Sequence, residues 1–343
     1  MTTFPAGYKS ALGALTTESA IKFVKDTFQR ELSGALCLSR ATSPMFVEKG
    51  KGINDDLNGV EKPVSFSVSG IGKNMEVVHS LAKWKRMFLA DHGFAPYTGI
   101  YTDMNALRPD DTIDPIHSVY VDQWDWEMVI KESDRNIDFL KKIVREIYSA
   151  IRRTEFLLSQ TFTSLTMRLP ENITFIHTED AEKMYPELTP KQREYELSKK
   201  YGAIFLIGIG ALLSNGLPHD GRAPDYDDWI TSTTDGKKGL NGDIIVYNPV
   251  RDESLELSSM GIRVSKESLL EQLKIRKLEE RKNLYWHKRL LNGEFPFTIG
   301  GGIGQSRLCM YLLQKAHLGE VQASVWSDET VEEAKKNGIR FLS

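Results

Sequence analysis

Residues 298–308 read Thr-Ile-Gly-Gly-Gly-Ile-Gly-Gln-Ser-Arg-Leu, with four glycines in five residues. An apolar run, 308–313, follows and reads as a buried helix, so the glycines stand at its entrance. Glycine lets backbone pass close to a ligand and reach positive φ at low steric cost. A helix N-terminus carries unpaired N–H groups and partial positive charge, which suits an anion. Arg307 falls in the first turn and points at whatever the glycines cradle. A plain flexible loop before a helix is the competing reading. The known phosphate loops are excluded: no G-x-x-x-x-G-K-[ST] occurs, and the spacing is not G-x-G-x-x-G.

A chain of 343 residues has room for one large domain or two small ones. At 41% hydrophobic and 27% charged it reads as soluble and globular. A formal charge of −3 gives no electrostatic reason to expect a nucleic-acid partner. Cys37 and Cys309 make no disulfide framework. Both lie in apolar runs, read as small core residues and fit the reducing cytoplasm. Residues 1–16 lack the charged start and apolar core of a signal peptide. No 18-residue apolar run occurs, so no membrane segment is expected.

Ile21, Val24, Phe28 and Leu32 form one apolar stripe and predict a helix over 17–32. Residues 35–39 read as a strand ended by Ser43-Pro44. The loop 49–59, which contains Asp55, reads as surface. Residues 64–68 alternate as a strand should. In 77–86 a strand end meets a basic helix start, where Lys83, Lys85 and Arg86 mark a solvated face or an anion contact. Residues 99–108 and 117–127 make an antiparallel hairpin around a polar loop that begins beside Arg108. Val119, Val121, Gln123 and Asp125 share one face of its second strand. A long amphipathic helix spans 133–162, and another covers 189–200. Apolar strands cover 173–176 and 203–209, the latter central to its sheet. Residues 220–229 carry Arg222 among carboxylates, and Pro224 bars a continuous helix. The spacing there is not that of a calcium loop. Strands 242–247 and 254–259 face each other. They carry Asp243 and Glu256, a pair able to hold a hard cation such as Mg²⁺, with a plain surface charge pair as the competing reading. A charged helix over 266–291 leads to the glycines. This order predicts an α+β fold, a mostly antiparallel sheet flanked by helices.

Seven motifs occur together and in order: HSLAKWKR (79–86), ALRPDD (106–111), HSVYVDQWDWE (117–127), RAPDYDDW (222–229), LNGDI (240–244), ELSSMGIR (256–263) and TIGGGIGQSR (298–307). Over residues 17–327 they resemble the ammonia-dependent aspartate–ammonia ligases, the asparagine synthetase A family. That family is related to the catalytic core of class II aminoacyl-tRNA synthetases. One departure stands out: most class II members have Glu before the last arginine, and here it is Ser306.

The resemblance implies a single catalytic domain over 1–343 with a class II synthetase-like core. It implies that L-aspartate and ATP form β-aspartyl-AMP and pyrophosphate, and that ammonia then releases L-asparagine and AMP. Arg108 falls to the α-phosphate, and Arg307 against the nucleotide beside Ser258 and Gly302. Asp243 and Glu256 are implied as Mg²⁺ ligands at the nucleotide. Asp55, Asp125 and Asp227 face the aspartate α-amino group, with Gln123 as a neutral partner. Lys85, Ser80 and Ser259 face its carboxylates, and Lys85 also balances charge during catalysis. The first helix and strand are implied to form a homodimer contact. Three alternatives compete with this. A tRNA synthetase needs an anticodon-binding domain, for which no stretch is left over. A glutamine-dependent enzyme needs a nucleophilic cysteine after Met1, and residue 2 is threonine. A non-catalytic regulator is expected to lose a phosphate arginine or a metal carboxylate, and all are present.

Overall fold

The structure is a computed structural model that describes residues 4–55, 57 and 61–342. Its strands are β1 (Leu38–Arg40), β2 (Phe46–Glu48), β3 (Ser65–Val68), β4 (Lys73–Val77), β5 (Gly99–Leu107), β6 (Tyr120–Val129), β7 (Thr174–His177), β8 (Ala203–Ile207), β9 (Asn241–Asn248), β10 (Glu253–Ile262) and β11 (Thr298–Gly304). Its helices are α1 (Ala14–Leu36), α2 (Ala82–Asp91), α3 (Ile137–Thr161), α4 (Thr178–Met184), α5 (Pro190–Tyr201), α6 (Lys266–Ile275), α7 (Tyr285–Leu291), α8 (Gln305–Leu312) and α9 (Asp328–Lys336).

Eight strands form one sheet in the order β1-β5-β6-β11-β10-β9-β8-β7, and β2-β4-β3 form a small second sheet. The five inner pairings of the large sheet are antiparallel. The two outermost, β1 with β5 and β7 with β8, are parallel. The sheet is therefore mixed at its edges. Parallel neighbours need a long crossover, and α4 and α5 supply it between β7 and β8.

Alternation along β6 sorts the molecule into two faces. Trp124, Trp126 and Met128 point into the main core, with α1 residues Val24, Phe28 and Leu32 and α3 residues Leu140, Val144, Ile147 and Ile151. Phe28 lies 4.7 Å from Trp124, ring to ring. The long α3 starts cleanly because Asn136 Oδ1 accepts from Phe139 N at 2.9 Å. The other face of β6 carries Gln123, Asp125 and Glu127, which no helix of that core covers.

Four expectations are corrected. The strand predicted over 35–39 begins only at Leu38, because α1 runs on through Leu36. Cys37 ends the helix in the left-handed region (φ 52) and is exposed, whereas Cys309 is buried as expected. The apolar strand β8 lies next to the sheet edge rather than at its centre. It is buried because Ala203, Phe205 and Ile207 face the main core while Ile204 and Leu206 face a second cluster with Ile176, Ala181 and Leu197. The helix predicted over 266–291 is two helices. Lys277 at φ 56 breaks it after α6, and a 3-10 turn, Glu279–Asn283, leads to α7. Among the described residues no helix is long and apolar enough to cross a membrane.

Candidate active site

The face of the large sheet away from α1 and α3 holds a cavity of about 510 Å³. From β6 come Gln123 and Asp125, from β9 Asp243, and from β10 Glu256, Ser258 and Ser259. β11 contributes Gly302 and α8 contributes Arg307. Asp55, Ser80, Arg108 and Asp227 close it from the connecting loops. The structure thus gathers these candidates at one wall. Lys85 is the exception, since it lies beneath the floor and is 0% exposed. Asp56, the neighbour of Asp55, is outside the described residues.

The glycine-rich stretch is a strand, not a loop, and Gly300 to Gly304 contribute no positive φ. Close approach is what excludes side chains here. A methyl on Gly300 would sit 1.9 Å from Glu127 Oε2, and one on Gly302 would sit 2.2 Å from Gln123 Oε1. On Gly301 it would meet Met260 Cβ at 2.5 Å. Polar side chains of β6 use the space the glycines leave. The N-terminus of α8 is likewise filled from within. Ser306 N donates to Asp122 Oδ1 at 3.0 Å and Ser306 Oγ to Asp122 Oδ2 at 2.8 Å. The anion expected there is the protein's own carboxylate.

The cations of α2 form no solvated face. Lys83 pairs with buried Asp225 at 3.1 Å, and Arg86 donates to Val264 O at 2.8 Å and Pro296 O at 3.0 Å. Lys85 Nζ donates to Asp125 Oδ1, to Trp126 O at 2.8 Å and to Gly301 O at 3.1 Å, with Glu127 Oε2 at 3.8 Å. Burial pushes the Lys85 ammonium down, and Glu127 opposes this. Three acceptors and two adjoining carboxylates are the setting of an ammonium rather than an amine.

Two arginines that sequence reasoning left out of the site hold its carboxylates. Arg222 donates from Nη2 to Asp243 Oδ1 at 2.6 Å and from Nη1 to Ser259 Oγ, with Nε 3.5 Å from Asp227 Oδ2. Arg263 Nη1 donates to Asp227 Oδ1 at 2.5 Å, and its Nη2 to Glu127 Oε2 at 2.7 Å. Both lie inside the recognised motifs. The signal that could have found them is charge balance, because buried carboxylates need buried cations. Arg108 and Arg307 are held differently, by main-chain oxygens. Arg108 Nη2 donates to His79 O at 3.0 Å, and its buried Nε has no hydrogen-bond partner among the described residues. Arg307 donates to Ile116 O at 3.2 Å and Glu256 O at 3.3 Å, with the Glu256 carboxylate 4.0 Å from its Nη1. Guanidiniums anchored this way keep positive charge for a ligand.

Burial, together with the charge of Glu256, pushes the Asp243 carboxyl up to about 7 even against Arg222. A cation between these carboxylates would relieve that cost. Hard oxygen donors of this kind fit Mg²⁺. Among the described residues no group of three or more His, Cys, Asp or Glu gathers to hold a metal, so phosphate and water would complete its shell.

A family model described as aspartate-ammonia ligase matches residues 15–338. The chain belongs to the aspartate–ammonia ligase family. The aspartate–ammonia ligase of Parabacteroides distasonis is 57% identical over 339 residues, 98% of each chain. That of Ruminiclostridium cellulolyticum is 55% identical over the same length and coverage. Solved structures of similar fold include an asparaginyl-tRNA synthetase from Pyrococcus horikoshii complexed with asparaginyl-adenylate. It has a TM-score of 0.67 at 13% identity, covering 91% of this chain and 70% of that one. The Entamoeba histolytica asparaginyl-tRNA synthetase follows at 0.64 and 13%, covering 90% and 67%. This aspartate–ammonia ligase therefore has the class II synthetase-like core, with its charged cavity on the sheet face away from α1 and α3.

Proposed function

We propose that this enzyme makes L-asparagine from L-aspartate, ATP and ammonia through a β-aspartyl-adenylate. The aspartate β-carboxylate attacks the α-phosphorus, an O–P bond forms, and pyrophosphate leaves. Ammonia then attacks the β-carbonyl carbon, and the C–O bond to AMP breaks as the C–N bond forms. The nitrogen's surplus protons pass to solvent. Bringing a carboxylate onto a phosphate joins two anions, so cations must sit where charge builds up. Arg108, whose Nε has no partner among the described residues, serves the α-phosphate, and Arg307 serves the nucleotide beside Ser258 and Gly302. Asp243 and Glu256 would hold Mg²⁺, which when bound neutralises phosphate charge. Asp55, Asp125 and Asp227 receive the α-ammonium, and Gln123 orients the substrate. Ser80 and Ser259 meet its carboxylates. Lys85 acts through Asp125 rather than by reaching the cavity.

The observation that supports this reading is the joining, in one cavity, of two arginines anchored on carbonyls with the carboxylates of Asp55, Asp125 and Asp227. The test is exchange of label between pyrophosphate and ATP, without ammonium or tRNA. Exchange that depends on aspartate is expected. Release of ADP and phosphate with no exchange would overturn the reading.

The enzyme works in the cytoplasm as a two-fold homodimer and needs no nucleic acid. Edge strand β1 and the half-exposed Met45 and Phe46 after it suit the dimer contact.

A further inference from the structure

Glu127 stands off the cavity wall yet touches the groups that support it. It is 0% exposed. Arg263 Nε approaches its two oxygens at 3.0 and 3.1 Å, and Lys85 Nζ lies 3.8 Å away. Burial alone would push its carboxyl up, but Arg263 and Lys85 hold it below the usual range. It occupies the space left by Gly300, where a methyl would lie 1.9 Å from Oε2.

Each of these cations turns its other side to a cavity carboxylate. Arg263 reaches Asp227 at 2.5 Å, and Lys85 reaches Asp125. Arg222 is committed to Asp243 at 2.6 Å and stands 3.5 Å from Asp227. The connected cluster sets four carboxylates, Asp125, Glu127, Asp227 and Asp243, against three cations, Lys85, Arg263 and Arg222, while the nearby buried Arg86 spends its guanidinium on the carbonyls of Val264 and Pro296. One negative charge is in excess among the groups paired with one another, and one ammonium would match it.

We propose that Glu127 is a positioning residue that sets the site's preference for the α-ammonium of aspartate, by sharing Lys85 and Arg263 so that Asp125 and Asp227 keep charge to spare. The inference rests on the proposed role of those two carboxylates. Without the Glu127 charge, Lys85 and Arg263 neutralise Asp125 and Asp227 fully. The α-ammonium then loses its attraction, while the substrate's carboxylates keep theirs.

Succinate isolates the effect, because it is aspartate without the amino group. Binding of both is measured by calorimetry on the wild-type and Glu127→Gln enzymes, beside their aspartate-dependent pyrophosphate exchange. Glu127→Gln is expected to weaken aspartate roughly tenfold, the scale of one charged contact. Succinate should change less than about twofold, since it makes no such contact. Gly300→Ala is measured alongside. Its methyl displaces the carboxylate without altering charge, so it should move the ratio the same way. A simple loss of structure would weaken both ligands alike. Equal weakening, or an unmoved ratio in whichever variant folds, overturns the role of Glu127. Wild-type enzyme that does not favour aspartate over succinate counts instead against the reading of the site.

Discussion

Arg108 and Gln123 lie on the two strands of one hairpin or at its end, yet their roles should separate kinetically. Arg108 serves charge that grows as the α-phosphate reacts, and an interaction stronger in the transition state acts on kcat. Arg108→Ala should lower kcat roughly 10²–10³-fold in AMP release. Arg108→Lys should restore little, because an ammonium cannot reproduce a guanidinium fork. Gln123→Ala should mainly raise the aspartate KM, by about 1–3 kcal/mol of binding. Gly302→Ala should mimic it, since its methyl would meet Gln123 Oε1 at 2.2 Å. Loss of kcat in Gln123→Ala with near-normal kcat in Arg108→Ala would reverse the two assignments. At this scale the sequence was legible where chemistry names a residue type: Arg108, Arg307 and the carboxylates it singled out line one cavity. It was not legible for Glu127, Arg222 and Arg263. Their part depends on pairing between segments far apart in the chain, and local pattern carries no record of that.

At the scale of elements, periodicity reported burial well and position less well. The α1 and α3 stripes, the hairpin and the facing strands β9 and β10 could all be read. The place of β8 in the sheet could not, because burial on both faces does not separate a central strand from its neighbour. Nor could the break at Lys277, which turns on a single left-handed residue. The glycines announced a close approach, but what approaches is Glu127 and Gln123. The segment around the 3-10 turn Leu318–Glu320 gives a pH test. His317 is 1% exposed, stacks on Phe341 at 4.6 Å and caps the turn, with Nδ1 accepting from Gly319 N at 2.9 Å. Burial, then the charge of Arg251, pushes this imidazole down from 6.5 to about 4. The unfolded chain therefore takes up the proton first. Stability falls as pH drops from 6.5 toward 4 and levels off below. His317→Asn keeps a capping acceptor and removes the titration. Its Tm should fall less between pH 7 and 5 than that of the wild type, and parallel curves would show that His317 carries none of the effect.

Across the whole molecule, one sheet does two jobs. Its α1–α3 face supplies the hydrophobic core, and its other face supplies the charged cavity. Light scattering at micromolar concentration should give twice the chain mass if β1 and the segment after it form the two-fold contact, and the chain mass alone would count against it. Glutamine should not replace ammonium. The most direct test of the central claim, attack of the β-carboxylate on the α-phosphorus, follows an atom. Aspartate carrying heavy oxygen in its β-carboxylate is incubated with ATP, Mg²⁺ and ammonium, without tRNA, and the nucleotide product is weighed. AMP carrying one heavy oxygen, with pyrophosphate beside it, is the result predicted. Unlabelled AMP, or heavy oxygen in inorganic phosphate accompanied by ADP, would contradict the adenylate route.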